Sequence, residues 1–188
     1  MTPAHAGACT LLVLGVALPS CRGPGDGPAS DVAAESQPSL AAAYGDAFLV
    51  GAALGRAQVV GTDPVGRMLA LHHFSSVTAD NAMKWERIHP EPGWYRFEVA
   101  DRFVELGEAE GMHVVGHALV WHQQTPAWVF RDGQGGPASR DTLLARMRDH
   151  IHHVVGWYRG RVDAWDVVNE ALAEDGSLRP SPWLEILG

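Results

Sequence analysis

Apolar positions along the chain alternate between two kinds of segment. Short, nearly continuous apolar runs occur at "FLVGAAL" (48–54), "SSVTAD" (75–80), "HVVGHALVW" (113–121) and "RVDAWDVV" (161–168). Runs of this length, bounded by polar or turn residues, read as buried strands. The fourth run predicts burial of Val167 and Val168. Between the runs the period changes to three and four. "PVGRMLALHH" (64–73) places Val65, Met68, Leu69 and His72 on one helical face. "EVADRFVELGEAEG" (98–111) does the same with Val99, Phe103 and Leu106, and Gly111 stands where a helix C-cap belongs. "RDTLLARMRDHIHHVVGWY" (140–158) is the longest helix, with a stripe of Leu144, Met147, Ile151, Val154 and Tyr158 and with Asp141 as its expected N-cap.

Strand and helix therefore alternate four strands long, which predicts an α/β fold of parallel βαβ units. An open doubly wound sheet and a (β/α)8 barrel both fit the rhythm. No Gly-rich fingerprint follows a strand, so dinucleotide binding is not expected.

The first 39 residues differ in character. "ACTLLVLGVALPSC" is an apolar stretch of signal-peptide length, too short for a membrane span. Its end, Leu18-Pro19-Ser20-Cys21, resembles a bacterial lipobox, so residues 1–21 are expected to be an export signal with a lipid anchor at Cys21. Residues 22–39 are rich in Gly, Pro, Ala and Ser and read as a flexible tether, and the folded domain is expected over 40–188. Both cysteines, Cys9 and Cys21, lie before the folded part, which excludes a disulfide framework or a cysteine zinc site there. A net charge of -8 disfavours a nucleic-acid partner.

Polar residues gather where the strands end. Asp80 and Asn81 follow the second run; His117, Trp121 and His122 end the third; Asn169 and Glu170 follow the fourth. In a βα barrel the C-terminal strand ends share one mouth, where active sites sit. A carboxylic acid there, with an amide beside it and Trp around it, suits glycoside hydrolysis. A general acid must protonate the departing sugar oxygen, and indole faces stack on sugar rings. His150, His152 and His153 spread around their helix rather than converging, so no metal and no cofactor are expected. Trp94, Trp157 and Trp165 are expected in the core, and Asp166 is expected to support the rim through buried hydrogen bonds.

Four segments, "VTADNAMKWERIHPEPGWYRFEVAD" (77–101), "GHALVWHQQTPAWV" (116–129), "HIHHVVGWYRGRVDAWDVVNEAL" (150–172) and "DGSLRPSPWLEILG" (175–188), occur in order and with ordinary spacing. Together they resemble glycoside hydrolase family 10, the endo-β-1,4-xylanases. The resemblance implies a (β/α)8 TIM barrel, of which this chain carries the N-terminal half, about four βα units. It implies xylan or xylo-oligosaccharides as substrate and retention of configuration. It also assigns roles. Glu170 matches the acid/base carboxylate, and Asn169 matches the residue that holds the 2-hydroxyl of the sugar being cleaved. His117, Trp121 and Gln124 match residues shaping that sugar's pocket. Asn81 and Lys84 match hydroxyl-binding residues on the non-reducing side. Asp80 stands where the family usually has Glu, one methylene shorter in reach. Trp85 and His122 match in supporting roles.

Retaining hydrolysis needs a second carboxylate as nucleophile, ~5–5.5 Å from the first. In the family it is a Glu at a later strand end, whereas Glu86, Glu91 and Glu174 here fall in loops or helix starts. The expectation is half a barrel carrying one carboxylate of the pair and exposing two strand edges, inactive by itself. An inactive xylan-binding product, or another barrel β-glycanase, are the alternative readings.

Overall fold

A computed structural model describes residues 38–188, so the expected signal, lipobox Cys21 and most of the 22–39 tether lie outside the described residues. The chain runs α1 (Leu40–Tyr44), β1 (Gly51–Leu54), α2 (Arg56–Val60), α3 (Pro64–His73), β2 (Ser76–Ala79), α4 (Trp85–Ile88), α5 (Glu98–Ala109), β3 (His113–Trp121), a 3-10 turn (Ala127–Phe130), α6 (Arg140–Trp157), β4 (Ala164–Asn169) and α7 (Pro182–Leu187). The four strands form one parallel sheet in the order β1-β2-β3-β4, with Gly51 opposite Ser76, Ser76 opposite His113 and Val115 opposite Ala164. Sequential parallel strands joined by helices repeat the βα unit of the (β/α)8 barrel that the family resemblance implies. All four C-terminal strand ends therefore point the same way.

The core lies between the sheet and its helices. Val77 and Val114 from β2 and β3, Phe103 and Val104 from α5, Leu143 and Val154 from α6, and Tyr158 just after α6 are almost wholly buried. Gly107 lets α5 close on the sheet, because a Cβ there would press on methyl groups of Val114 and Val77. Each such side chain contributes about 1.5–3 kcal/mol by leaving water. Asp63 caps α3 by accepting from the Gly66 backbone N–H, with Pro64 in the first turn.

Several expectations need correction. Ser139, not Asp141, caps α6: its backbone is extended and its side chain accepts from the Thr142 N–H, while Asp141 already lies in the helix. The expected α6 stripe holds at Val154 and Tyr158, which are buried, and at Met147 and Ile151, which pack partly buried on the core, while Leu143 and His150 are buried and Leu144 is not. On α3 only Ala70 is buried, and Val65, Met68 and Leu69 face outward. Val167 and Val168, which point to opposite faces of the sheet, are also more than half exposed, because neither face of β4 is covered at its tip. Trp94 and Trp157 are not core residues but half-exposed: Trp94 lies under the Arg96 guanidinium, and Trp157 stacks on Phe97 at 4.6 Å. Among the described residues no helix is long and apolar enough to cross a membrane.

Candidate functional site

The ends of β2, β3 and β4 carry a connected polar chain. After β2, Asn81 donates to Asp80 Oδ2 at 2.6 Å, and its Oδ1 accepts from Lys84 Nζ at 3.2 Å. Lys84 is nearly buried, and its ammonium lies 4.4 Å from the centroid of the Trp121 ring, a cation–π contact that holds the indole at the end of β3. Trp121 pairs in register with Asn169 on β4, and its Nε1–H donates to Glu170 Oε2 at 3.1 Å. The same carboxylate oxygen is 3.9 Å from His122 Nε2. Four of the expected residues, Asn81, Lys84, Trp121 and Glu170, thus form one contact series across three strand ends, with Asn169 adjoining its end.

His117 and Gln124 are placed differently. His117 faces Asp166 across the β3–β4 register, Nδ1 to Oδ2 at 2.8 Å, with His117 four residues before the end of β3 and Asp166 three before the end of β4. Asp166 does support a histidine, but it is exposed rather than buried. Gln124 is tied to α4: its carbonyl accepts from the Glu86 N–H at 2.9 Å, and its side-chain amide donates to Glu86 Oε1 at 3.3 Å.

Backbone conformation sets Gln124 and Glu170 apart. Among the described residues they are the two non-glycine positions with positive φ, 47° and 50°. For a residue with a Cβ this region is costly, and it persists where the surroundings demand it. At Glu170 the turn out of the strand is held by Arg179, whose Nε donates to the Glu170 carbonyl at 3.1 Å and whose terminal nitrogen donates to Leu172 O at 3.1 Å. The Trp121 carbonyl accepts from Trp183 Nε1 at 2.9 Å and Thr125 Oγ1 at 2.8 Å. Arg179, Trp183 and Glu86 were not singled out as supports from sequence. Their roles depend on chain reversals of unpredictable path, and only the Asp-Gly turn before Arg179 signals one.

Beneath the site is an aromatic stack. Trp85, directly after Lys84, lies parallel to His150 with centroids 3.8 Å apart. His89 continues the stack between His150 and Tyr95. Burial is the main cause that pushes His150 down to about 3 and His89 to about 4, so both imidazoles are neutral at ordinary pH. Among the described residues no group of three His, Cys, Asp or Glu converges as metal ligands.

A cavity of about 230 Å³ opens beside Glu170, but its lining is mostly apolar, with Val120, Met147, Val168, Leu184 and Leu187, so it runs toward α6 and α7 and is not a sugar-binding groove. An exposed carboxylate held by an indole N–H at a strand tip can exchange a proton with a ligand oxygen. The neighbouring amide and ammonium can bind hydroxyls.

The model of the family "Glycosyl hydrolase family 10" matches residues 39–188. The chain is 47% identical over 153 residues to endo-1,4-beta-xylanase B of Paenibacillus barcinonensis, covering 80% of this chain and 45% of that protein. It is 45% identical over 153 residues to a beta-1,4-xylanase of Dictyoglomus thermophilum, covering 80% and 41%. Its fold is similar to the crystal structure of a Paenibacillus barcinonensis xylanase complexed with a conduramine derivative, with TM-score 0.75, 44% identity and coverage of 82% and 46%. The chain thus spans less than half the length of these relatives.

Proposed function

Since the chain belongs to glycosyl hydrolase family 10, we propose that it is the acid/base-bearing part of an endo-1,4-β-xylanase acting on internal bonds of xylan with retention. Glu170 protonates the glycosidic oxygen as the bond breaks, then deprotonates the water that releases the glycosyl intermediate. Asn169 grips the 2-hydroxyl of the sugar being cleaved. Trp121, His117 and Gln124 wall its pocket, and Asn81 with Lys84 binds hydroxyls of the next sugar on the non-reducing side. The nucleophilic carboxylate comes from a segment outside these 188 residues, so this chain by itself is inactive. Residues 1–21 direct export, with lipid attachment at Cys21, and residues 22–39 tether the catalytic domain.

The observation that supports this reading best is the grip on Glu170. Its carboxylate accepts from Trp121 Nε1 while its backbone is held at φ 50° at the strand tip. A solvated strand-end charge needs neither. In the enzyme that carries this chain, Glu170→Ala should lower xylan hydrolysis about 10²–10⁴-fold, the usual scale of general acid–base catalysis. An aryl xyloside with an activated leaving group should lose far less in its first step, because it needs no protonation. Wild-type activity of the variant on xylan would reject the assignment.

A further inference from the structure

The chain that leaves β4 turns straight back on itself. Residues 171–179 form a short hairpin. The Arg179 N–H donates to Ala171 O at 2.9 Å, the Ala173 N–H donates to Ser177 O at 2.8 Å, and Leu172 bridges Leu178 in antiparallel fashion. At its tip Asp175 accepts from the Ser177 N–H at 3.0 Å and from the Ser177 hydroxyl at 2.6 Å, and Gly176 adopts a φ of 83°. This hairpin brings Arg179 back beside the strand tip. There its guanidinium spans the neck, with Nε donating to Glu170 O and a terminal nitrogen to Leu172 O, both at 3.1 Å. Among the described residues Arg179 pairs with no carboxylate, so these two carbonyls are what its side chain serves. A planar fork suits two acceptors at fixed spacing, and a charged donor binds a carbonyl more strongly than a neutral one.

Glu170 needs such a hold. Its φ of 50° lies in a region that a residue with a Cβ avoids, and relaxation to negative φ would turn the Cα–Cβ bond away from its present direction. The carboxylate is tied by one oxygen only. Oε2 accepts from Trp121 Nε1 at 3.1 Å and lies 3.9 Å from His122 Nε2, whereas Oε1 has no hydrogen-bond partner among the described residues. A single bond leaves the group free to pivot about it, so the direction of Oε1 depends on where the backbone places Cβ. We propose that Arg179 is a positioning residue for proton transfer: by fixing the Glu170 backbone it aims Oε1 at the glycosidic oxygen, acting through Glu170 rather than on the substrate. The proposal rests on the reading of Glu170 as the acid and names the residue on which its aim depends.

The test compares Arg179→Met and Arg179→Lys with wild type in the enzyme that carries this chain. Two substrates are used: xylan, whose leaving sugar needs a proton, and an aryl xyloside with an activated leaving group, which needs none. Arg179→Met should lower kcat/KM on xylan about 10–100-fold, the scale on which a misplacement of about 1 Å acts. The first-step burst on the aryl xyloside should stay close to wild type. Arg179→Lys keeps the charge but lacks the fork, so its loss on xylan should be smaller. Binding of a xylo-oligosaccharide should be unchanged in both variants, because Asn81 and Lys84 lie at the end of β2. A purely structural role would instead weaken binding and lower both rates together. Equal losses on the two substrates, or no loss on xylan, would overturn the proposal. Should Arg179→Met fail to fold, Arg179→Lys carries the same comparison. Glu170→Ala measured alongside keeps the two readings apart. If it shows the split between substrates and the Arg179 variants do not, the positioning role alone falls; if it shows no split, the acid assignment falls with it.

Discussion

Mild acid should destabilise this fold through two histidines buried beneath the strand-end site. His89 and His150 are 2% and 0% exposed, and neither nitrogen of either ring has a hydrogen-bond partner. Around them are Trp85, Tyr95 and each other, with Asp149 favouring protonation of His89 and His153 opposing it. Both folded pKa values lie below the ordinary 6.5, at about 4 and about 3. The unfolded chain therefore binds protons that the fold refuses, and stability is present in full above 6.5 and lost as pH falls through the window below it. At pH 5 the unfolded histidine is about 1.5 units below its pKa, so each ring costs about 2 kcal/mol and the pair about 4. That figure hardly depends on the folded values while they stay near 4 or lower. It is a large part of the roughly 5–15 kcal/mol by which domains are stable. Asp63, Glu108 and Asp175 have carboxyls held below the usual range by hydrogen bonds, so their contribution is lost only at lower pH. The assay is urea unfolding followed by tryptophan fluorescence at pH 7.5 and 5.0, for wild type and His150→Phe. Wild type should lose about 4 kcal/mol between the two pH values and the variant about 2. Any packing cost of Phe appears at both pH values and cancels. An equal loss in both proteins, or a gain on acidification, would refute the reasoning.

Other outcomes follow from the packing. Asp101 accepts from Trp157 Nε1 at 2.9 Å and from the buried Tyr158 hydroxyl at 3.0 Å. Asp101→Ala should cost about 1–3 kcal/mol in urea unfolding by stranding that hydroxyl, and Asp101→Asn, which keeps an acceptor, should cost less. The free edge of β4, with Val167 and Val168 exposed, should drive concentration-dependent association of the isolated chain. Light scattering should show it, Val168→Lys should reduce it, and a strictly monomeric wild type at high concentration would count against it.

The strand rhythm and the longer helices were legible because their periods persist. The run at 113–121 coincides with β3, and α3 starts and stops where the pattern does. Helices of four to six residues, α1, α2, α4 and α7, carry too few turns to show a period. Burial was less legible than structure type. Val65, Met68, Val167 and Val168 are apolar in the right register yet exposed, since burial depends on what lies opposite and not on the residue itself. His150 shows the converse: a polar residue at the centre of a helix stripe, buried by stacking on Trp85. In the site, the strand-end pattern located Asn81, Trp121, Asn169 and Glu170. The backbone at Trp121 and Glu170 is held by Trp183 and Arg179, in a segment whose path the local sequence does not determine.

The left-handed backbone at Glu170 has a consequence for how this position can change over evolutionary time. A glutamate there carries a conformational penalty of about 1 kcal/mol or more that glycine would not. Glu170→Gly should therefore raise the midpoint of urea unfolding, and a fall in that midpoint would show that the Trp121 contact outweighs the backbone. Without selection for catalysis, drift toward the more stable glycine would be downhill. Backbone geometry alone thus gives no reason for an acidic residue at position 170, and the side chain must be justified by what its carboxylate does.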